Sequence, residues 1–160
     1  MIKIDKTDRR QHRRFFVKKR IFAVVRSENH QLNRIDRMSK GEIAFAVFKS
    51  NPPRMGEIIE ISRGGLSFSY IDNETDLADF SEMDILFVDE DFHLTHLPFK
   101  PVEDTAIVDS NRIRTLQMKR QTVKFKKLSA WQKKQLEYVL NNFTTGEVPK
   151  PGRKQVWGSG

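Results

Sequence analysis

A chain of 160 residues holds one ordinary domain with its own core and is too short for two comfortable ones. Hydrophobic residues make up 38% and include 12 Phe, which fits a folded globule, yet no apolar run is long enough to span a bilayer. The absence of cysteine excludes disulfides, thiol catalysis and thiolate metal sites together.

The net charge of +8 conceals a segregation. Residues 1–20 carry nine Lys or Arg against two acids, residues 21–110 eight against 17, and residues 111–160 twelve against two. Two basic ends around an acidic middle point to anion-binding termini more than to a uniformly basic nucleic-acid surface. Solvated tails would carry the same charges, so the pattern needs a second signal. The basic N-terminus lacks the apolar segment of a secretory leader, and the expected location is the cytoplasm.

Residues 1–14 have no apolar period and read as a flexible basic arm. Phe15-Phe16-Val17 and Ile21 to Val25 are rich in aromatic and β-branched residues and predict strands. Polar residues 26–41 read as a loop or excursion. Ile43 to Phe48 is a second strand-like run, echoing Phe22-Ala23-Val24 in Phe45-Ala46-Val47; two similar strands explain the echo better than a repeat. Asn51-Pro52-Pro53 breaks that run, and a strand is expected over 57–62.

The turn Arg63-Gly64-Gly65 leads into Leu66-Ser67-Phe68-Ser69-Tyr70, whose alternation marks a half-buried strand. Acid-rich residues 72–84 read as a loop. Strands follow at 85–88, 92–94, 105–109, 113–119 and 121–127, with a turn at Asp89-Glu90-Asp91. Short strands at this spacing predict a small antiparallel β-barrel or sandwich. The one expected helix is Ser129 to Asn142. Ser129 and Gln132 form a capping box, and Trp131, Leu136, Val139, Leu140 and Phe143 keep helical spacing as core residues that close one end of the barrel. The domain is thus expected over 15–143, with a disordered tail over 144–160.

Two motifs carry chemistry. Arg10-x-x-x-Arg14 places two guanidinium groups at the end of the arm, and Glu60-x-Ser62-x-x-Gly65 spans the glycine turn. The combination resembles the PilZ domain family, whose pattern is RxxxR followed by [D/N]xSxxG. Gly64-Gly65-Leu66-Ser67-Phe68 and Val123-Lys124-Phe125 before the last helix extend the resemblance over roughly residues 8–143. The resemblance implies a small β-barrel with a C-terminal helix and a receptor for cyclic di-GMP, with Arg9, Arg10, Arg13, Arg14, Glu60, Ser62, Gly64 and Gly65 as candidate ligand-binding residues. It also implies that two stacked messenger molecules can occupy such a site.

The physical chemistry agrees. Arginine binds phosphate bidentately, donates paired hydrogen bonds to guanine O6 and N7, and stacks on a base. Glycine permits close approach of backbone to ligand, and serine adds a small hydroxyl. Arg9-x-x-x-Arg13 satisfies the same spacing, but in the family the second arginine directly precedes the first strand, which favours Arg10 and Arg14. The chain departs from the family in two ways. Glu60 replaces Asp or Asn, moving its oxygens by on the order of an ångström, and the Arg14–Glu60 interval is lengthened, with an insertion expected around 27–41.

Weaker signals give no second chemistry. His93 and His96 are three apart and diverge on a strand, so no metal site is expected. The acidic run from Asp72 to Asp91 lacks the glycine and spacing of a calcium loop. No nucleophile–base pair, P-loop or dinucleotide fingerprint is present, and neither catalysis nor a cofactor is expected. The leading expectation is a receptor that turns messenger binding into a changed partner surface, with no membrane insertion. Behind it stand a degenerate adaptor acting by protein contacts, for instance in motility or surface attachment, and a small nucleic-acid-binding barrel using both basic ends. The arm lacks interleaved aromatics for base stacking, which counts against the last.

Overall fold

The computed structural model describes residues 12–27, 38–73, 75–107 and 117–149. Eight strands and two helices follow in the order β1 (Phe15–Val17), β2 (Ile21–Val25), α1 (Lys40–Ser50), β3 (Met55–Ile61), β4 (Gly65–Ile71), β5 (Glu82–Phe87), β6 (Leu94–Ala106), β7 (Met118–Phe125), α2 (Ala130–Asn142) and β8 (Thr144–Glu147), with a 3-10 turn over Leu77–Asp79. Pairing runs β2-β5-β6-β7-β4-β3, and β3 pairs back to β2, closing a six-stranded antiparallel barrel. The expected mainly β, barrel-plus-helix class is the observed one.

Closure depends on strands that serve two neighbours. β6 pairs with β5 over 94–98 and with β7 over 99–106, bending at a bulge between Pro101 and Glu103. Prolines are tolerated at such irregular points because they need supply no ladder donor. On β3 the division falls along one edge. Residues 55–57 pair with β2, whereas Glu60 and Ile61 pair with Phe16 and Phe15 of β1. The barrel interior is packed with Phe68, Phe87, Phe99, Ile61, Met83, Ile85, Leu94 and Leu97, each almost fully buried.

Helix α2 closes one end as expected, through Leu136, Val139, Leu140 and Phe143. Its capping box is intact, Ser129 Oγ accepting from Gln132 N and Gln132 Oε1 from Ser129 N, each at 3.0 Å. Trp131, expected in the core, is 64% exposed and turned away from it.

Several expectations are corrected. The run Ile43 to Phe48 is part of α1, not a strand. Ser39 and Glu42 form a second capping box, Ile43 and Ala46 are buried with Val47 half-buried at helical spacing, and Asn51 ends the helix in the left-handed region (φ 47°) before the two prolines. This helix packs outside the barrel on Val24 and Leu86. The acid-rich 72–84 segment ends in strand from Glu82 because Asp84, wholly buried, is paired with Arg26 at 2.7 Å. Residues expected as a disordered tail from Thr144 instead begin with β8, which pairs with β1. Most of the strand expected over 113–119, and most of the insertion around 27–41, lie outside the described residues.

Two glycines mark places where backbones meet. A Cβ on Gly56 would overlap the Ser69 carbonyl, and one on Gly65 would overlap the Val123 carbonyl, whereas Gly146 has open space. Gly56→Ala is therefore expected to cost about 3 kcal/mol or more of unfolding free energy, and Gly146→Ala to stay within about 0.5 kcal/mol of wild type, both read by urea denaturation.

Candidate functional site

The hairpin joining β3 to β4 is built by its own side chain. Ser62 N donates to Gly65 O at 2.8 Å, and Ser62 Oγ accepts from Gly64 N at 3.0 Å and Gly65 N at 3.2 Å. Phe125 N donates to Gly64 O at 2.8 Å and fastens the turn to the end of β7. The first task of Ser62 is thus to shape the turn. Gly64 leaves room for an imidazole: a Cβ there would come within 2.7 Å of His12 Cδ2.

An open cleft of about 620 Å³ lies over this turn, bounded by the end of the arm, the outer face of β7 and helix α2. His12, Arg14, Glu60, Ser62, Gly64 and Gly65 all line it. Of the predicted residues, five therefore converge on one place: Arg14, Glu60, Ser62, Gly64 and Gly65. Arg13 points elsewhere. Its guanidinium donates twice to Glu147, at 3.1 and 2.7 Å, and lies over the Phe15 ring. Arg9 and Arg10 lie outside the described residues. The last residues of the expected flexible arm are fixed, because Val148 N donates to Arg14 O at 2.8 Å.

The cleft is strongly cationic. Arg14, Arg63, Lys124, Lys126, Lys127 and Lys133 line it against the carboxylates Glu60 and Glu137. Arg63 and Glu137 are joined by paired hydrogen bonds, one of them at 2.9 Å, which hold the Glu137 carboxyl below its ordinary range. None of the four lysines has a carboxylate partner among the described residues. Lys124 stands directly across the ladder from Lys100, a like-charge pair that a bound anion would relieve. Val102, which is exposed, adds apolar surface, so the arrangement suits a polyanion that also carries an apolar-faced group.

Glu60 is buried, 7% exposed, between two arginines. One oxygen lies 3.5 Å from Arg14 and the other 2.8 Å from Arg120. Arg120 and the lysines from 124 to 133 escaped the motif search. Their signal was the excess of basic residues in the last third of the chain, together with the alternation that puts 120, 122 and 124 on one face of a strand.

His93 and His96 have separate partners within the fold. His93 Nδ1 accepts from Phe87 N at 3.1 Å, while His96 faces Glu82 at 3.0 Å. No group of three or more metal-ligating side chains occurs among the described residues, and none of the helices there is long and apolar enough to cross a membrane.

No protein-family model and no curated protein matches the chain. Two solved structures are similar. MrkH, described as a novel c-di-GMP dependence transcription regulatory factor, superposes with a TM-score of 0.56 at 13% identity, over 84% of this chain and 50% of that one. The PilZ domain with c-di-GMP of YcgR from Escherichia coli gives 0.49 at 12% identity, over 83% and 90%. The chain spans about half the length of the MrkH chain, and at such identity the likeness is one of fold.

Burial lowers the His93 pKa, the nearby Asp91 and Asp84 opposing it less strongly. A histidine depressed in the folded state binds its proton more readily when unfolded, so stability present above about pH 6.5 is lost as pH falls through the folded value. The urea midpoint is expected to fall between pH 7 and pH 5, and His93→Asn, which keeps an acceptor for Phe87 N, to flatten that dependence.

Proposed function

We propose that this chain is a PilZ-like receptor for cyclic di-GMP, held in the cleft between Arg14, the Ser62–Gly65 turn and the lysines around β7 and α2. The observation that carries this reading is the convergence of two motifs some 45 residues apart: the second arginine of RxxxR lies in the cleft that the glycine turn floors. The fold shared with MrkH, whose description names c-di-GMP, supports it.

In this reading Arg14 and Lys124 take phosphate oxygens, with Lys126, Lys127 and Lys133 making the local potential more positive. Charge-assisted hydrogen bonds from fixed guanidinium are the stronger kind. Arg10 joins Arg14 from the arm, while Arg13 serves β8 and stays out of the contact; the register is Arg10 and Arg14. Guanine lies on the apolar surface offered by Val102 and its neighbours. The ligand displaces the His12 imidazole from Gly64, where a side chain would block so close an approach. The reading places the protein in the cytoplasm, as a non-enzymatic adaptor whose downstream partner reads the altered arm and cleft.

A second reading keeps the fold and drops the messenger. It is favoured by Glu60, whose two oxygens are already divided between Arg14 and Arg120, and it makes the protein an adaptor acting through protein contacts alone.

Isothermal titration calorimetry separates the two. Wild-type protein is expected to bind cyclic di-GMP, more weakly as salt rises because both partners shed counterions. Arg14→Ala should weaken binding at least about tenfold, whereas Arg13→Ala should leave it within about threefold. No heat at tens of micromolar ligand would leave the adaptor reading standing.

A further inference from the structure

We propose that Glu60 is a built-in competitor for the messenger's phosphate: its carboxylate holds Arg14 in the unliganded protein and yields it when an anion enters the cleft. The inference rests on the receptor reading for the identity of that anion, but not for the contact itself.

The geometry gives the carboxylate two unequal partners. Glu60 Oε2 lies 2.8 Å from Arg120, and Glu60 Oε1 lies 3.5 Å from Arg14. Arg14 lines the cleft and Arg120 does not. An incoming phosphate therefore meets the more loosely held guanidinium. Arg14 can leave without stranding a buried charge, because Glu60 keeps Arg120. That matters: a nine-tenths-buried carboxylate deprived of every cation would be costly.

A second observation marks where the carboxylate goes. Ser67 stands directly across the β3–β4 ladder from Glu60, and its hydroxyl is buried with no hydrogen-bond partner among the described residues. Buried hydroxyls are ordinarily satisfied. When Arg14 lets go, Ser67 Oγ supplies a replacement donor to Glu60.

Side-chain length is decisive here. Aspartate reaches one C–C bond less, roughly 1.5 Å, and at this position could keep the nearer Arg120 but no longer bridge to Arg14. Glutamate thus converts a binding residue into one that sets a threshold: messenger must outcompete an internal carboxylate before the arm's arginine is captured.

NMR of the arginine guanidinium groups tests this without presuming a ligand. Arg14 and Arg120 signals are assigned with Arg14→Lys and Arg120→Lys. In unliganded Glu60→Gln protein, both guanidinium groups should rotate more freely than in wild type. On titrating wild type with cyclic di-GMP, Arg14 signals should move while Arg120 stays restrained. Glu60→Gln and Glu60→Asp should bind the messenger about tenfold more tightly, a gain of about 1.4 kcal/mol.

Unchanged Arg14 dynamics in unliganded Glu60→Gln would overturn the proposal. So would equal or weaker messenger binding by both variants, which would make Glu60 a direct ligand contact. If no variant binds cyclic di-GMP, the receptor reading fails, and the contact is decided by Arg14 dynamics and by inorganic pyrophosphate titration. Tighter pyrophosphate binding in Glu60→Gln supports the competitor; equal binding overturns it. Thermal unfolding confirms that each variant is folded, and Glu60→Asp, which keeps the charge, serves where Glu60→Gln does not fold.

Discussion

One strand edge governs the whole arrangement. The free side of β3 is shared: its first half accepts β2 and closes the barrel, and its second half accepts β1. A strand that gave its entire edge to β2 would leave the residues before Phe15 with nothing to follow. Because the edge is divided, the chain enters alongside Glu60 and Ile61, and Arg14 arrives at the cleft one residue before pairing begins. The fixed placement of a cation next to a turn is thus a consequence of backbone hydrogen bonding, which is far less salt-sensitive than the charge pairs it positions. β8 then pairs with the other side of β1, so this short strand is held from both sides.

Around that edge the molecule concentrates charge that does not cancel. Four lysines with no carboxylate partner among the described residues share a cleft with two arginines, and the two acids lining it are each engaged with arginine. Clustered like charges lower stability unless something neutralises them. Globular surfaces usually intersperse the two signs, and elsewhere this one does: Arg20 faces Asp89, and His96 faces Glu82. Among the described residues, the cleft thus gathers more positive charge than its two carboxylates balance.

Much of this was legible in the residues. The serine–glycine turn, the alternation of β4, the capping box of α2 and the barrel class all follow from local chemistry that tertiary contacts reinforce. What escaped was decided either by a local cap that outweighs strand-like composition or by partners distant in sequence. Ile43 to Val47 satisfies a strand's composition, and only the Ser39–Glu42 box and the spacing of Ile43, Ala46 and Val47 reveal a helix. The polar stretch Thr144 to Glu147 has no apolar period because it is an outer strand whose pairing comes from β1. Asp84 looked like one more loop acid until Arg26 was placed beside it. For the site, the motif found the turn and Arg14, while Lys124 joined it only once β7 was laid beside β4, and Arg120 reaches it through Glu60.

Helix α1 has its own small apolar cluster, in which Ile43 and Ala46 meet Val24 and Leu86 apart from the barrel interior. So little shared surface couples it weakly to the rest, while Phe45 stays 62% exposed. Elements of that kind open by themselves, at a free energy well below that of global unfolding. The amide protons of α1 should consequently trade with solvent through a local excursion that leaves the six closed strands protected.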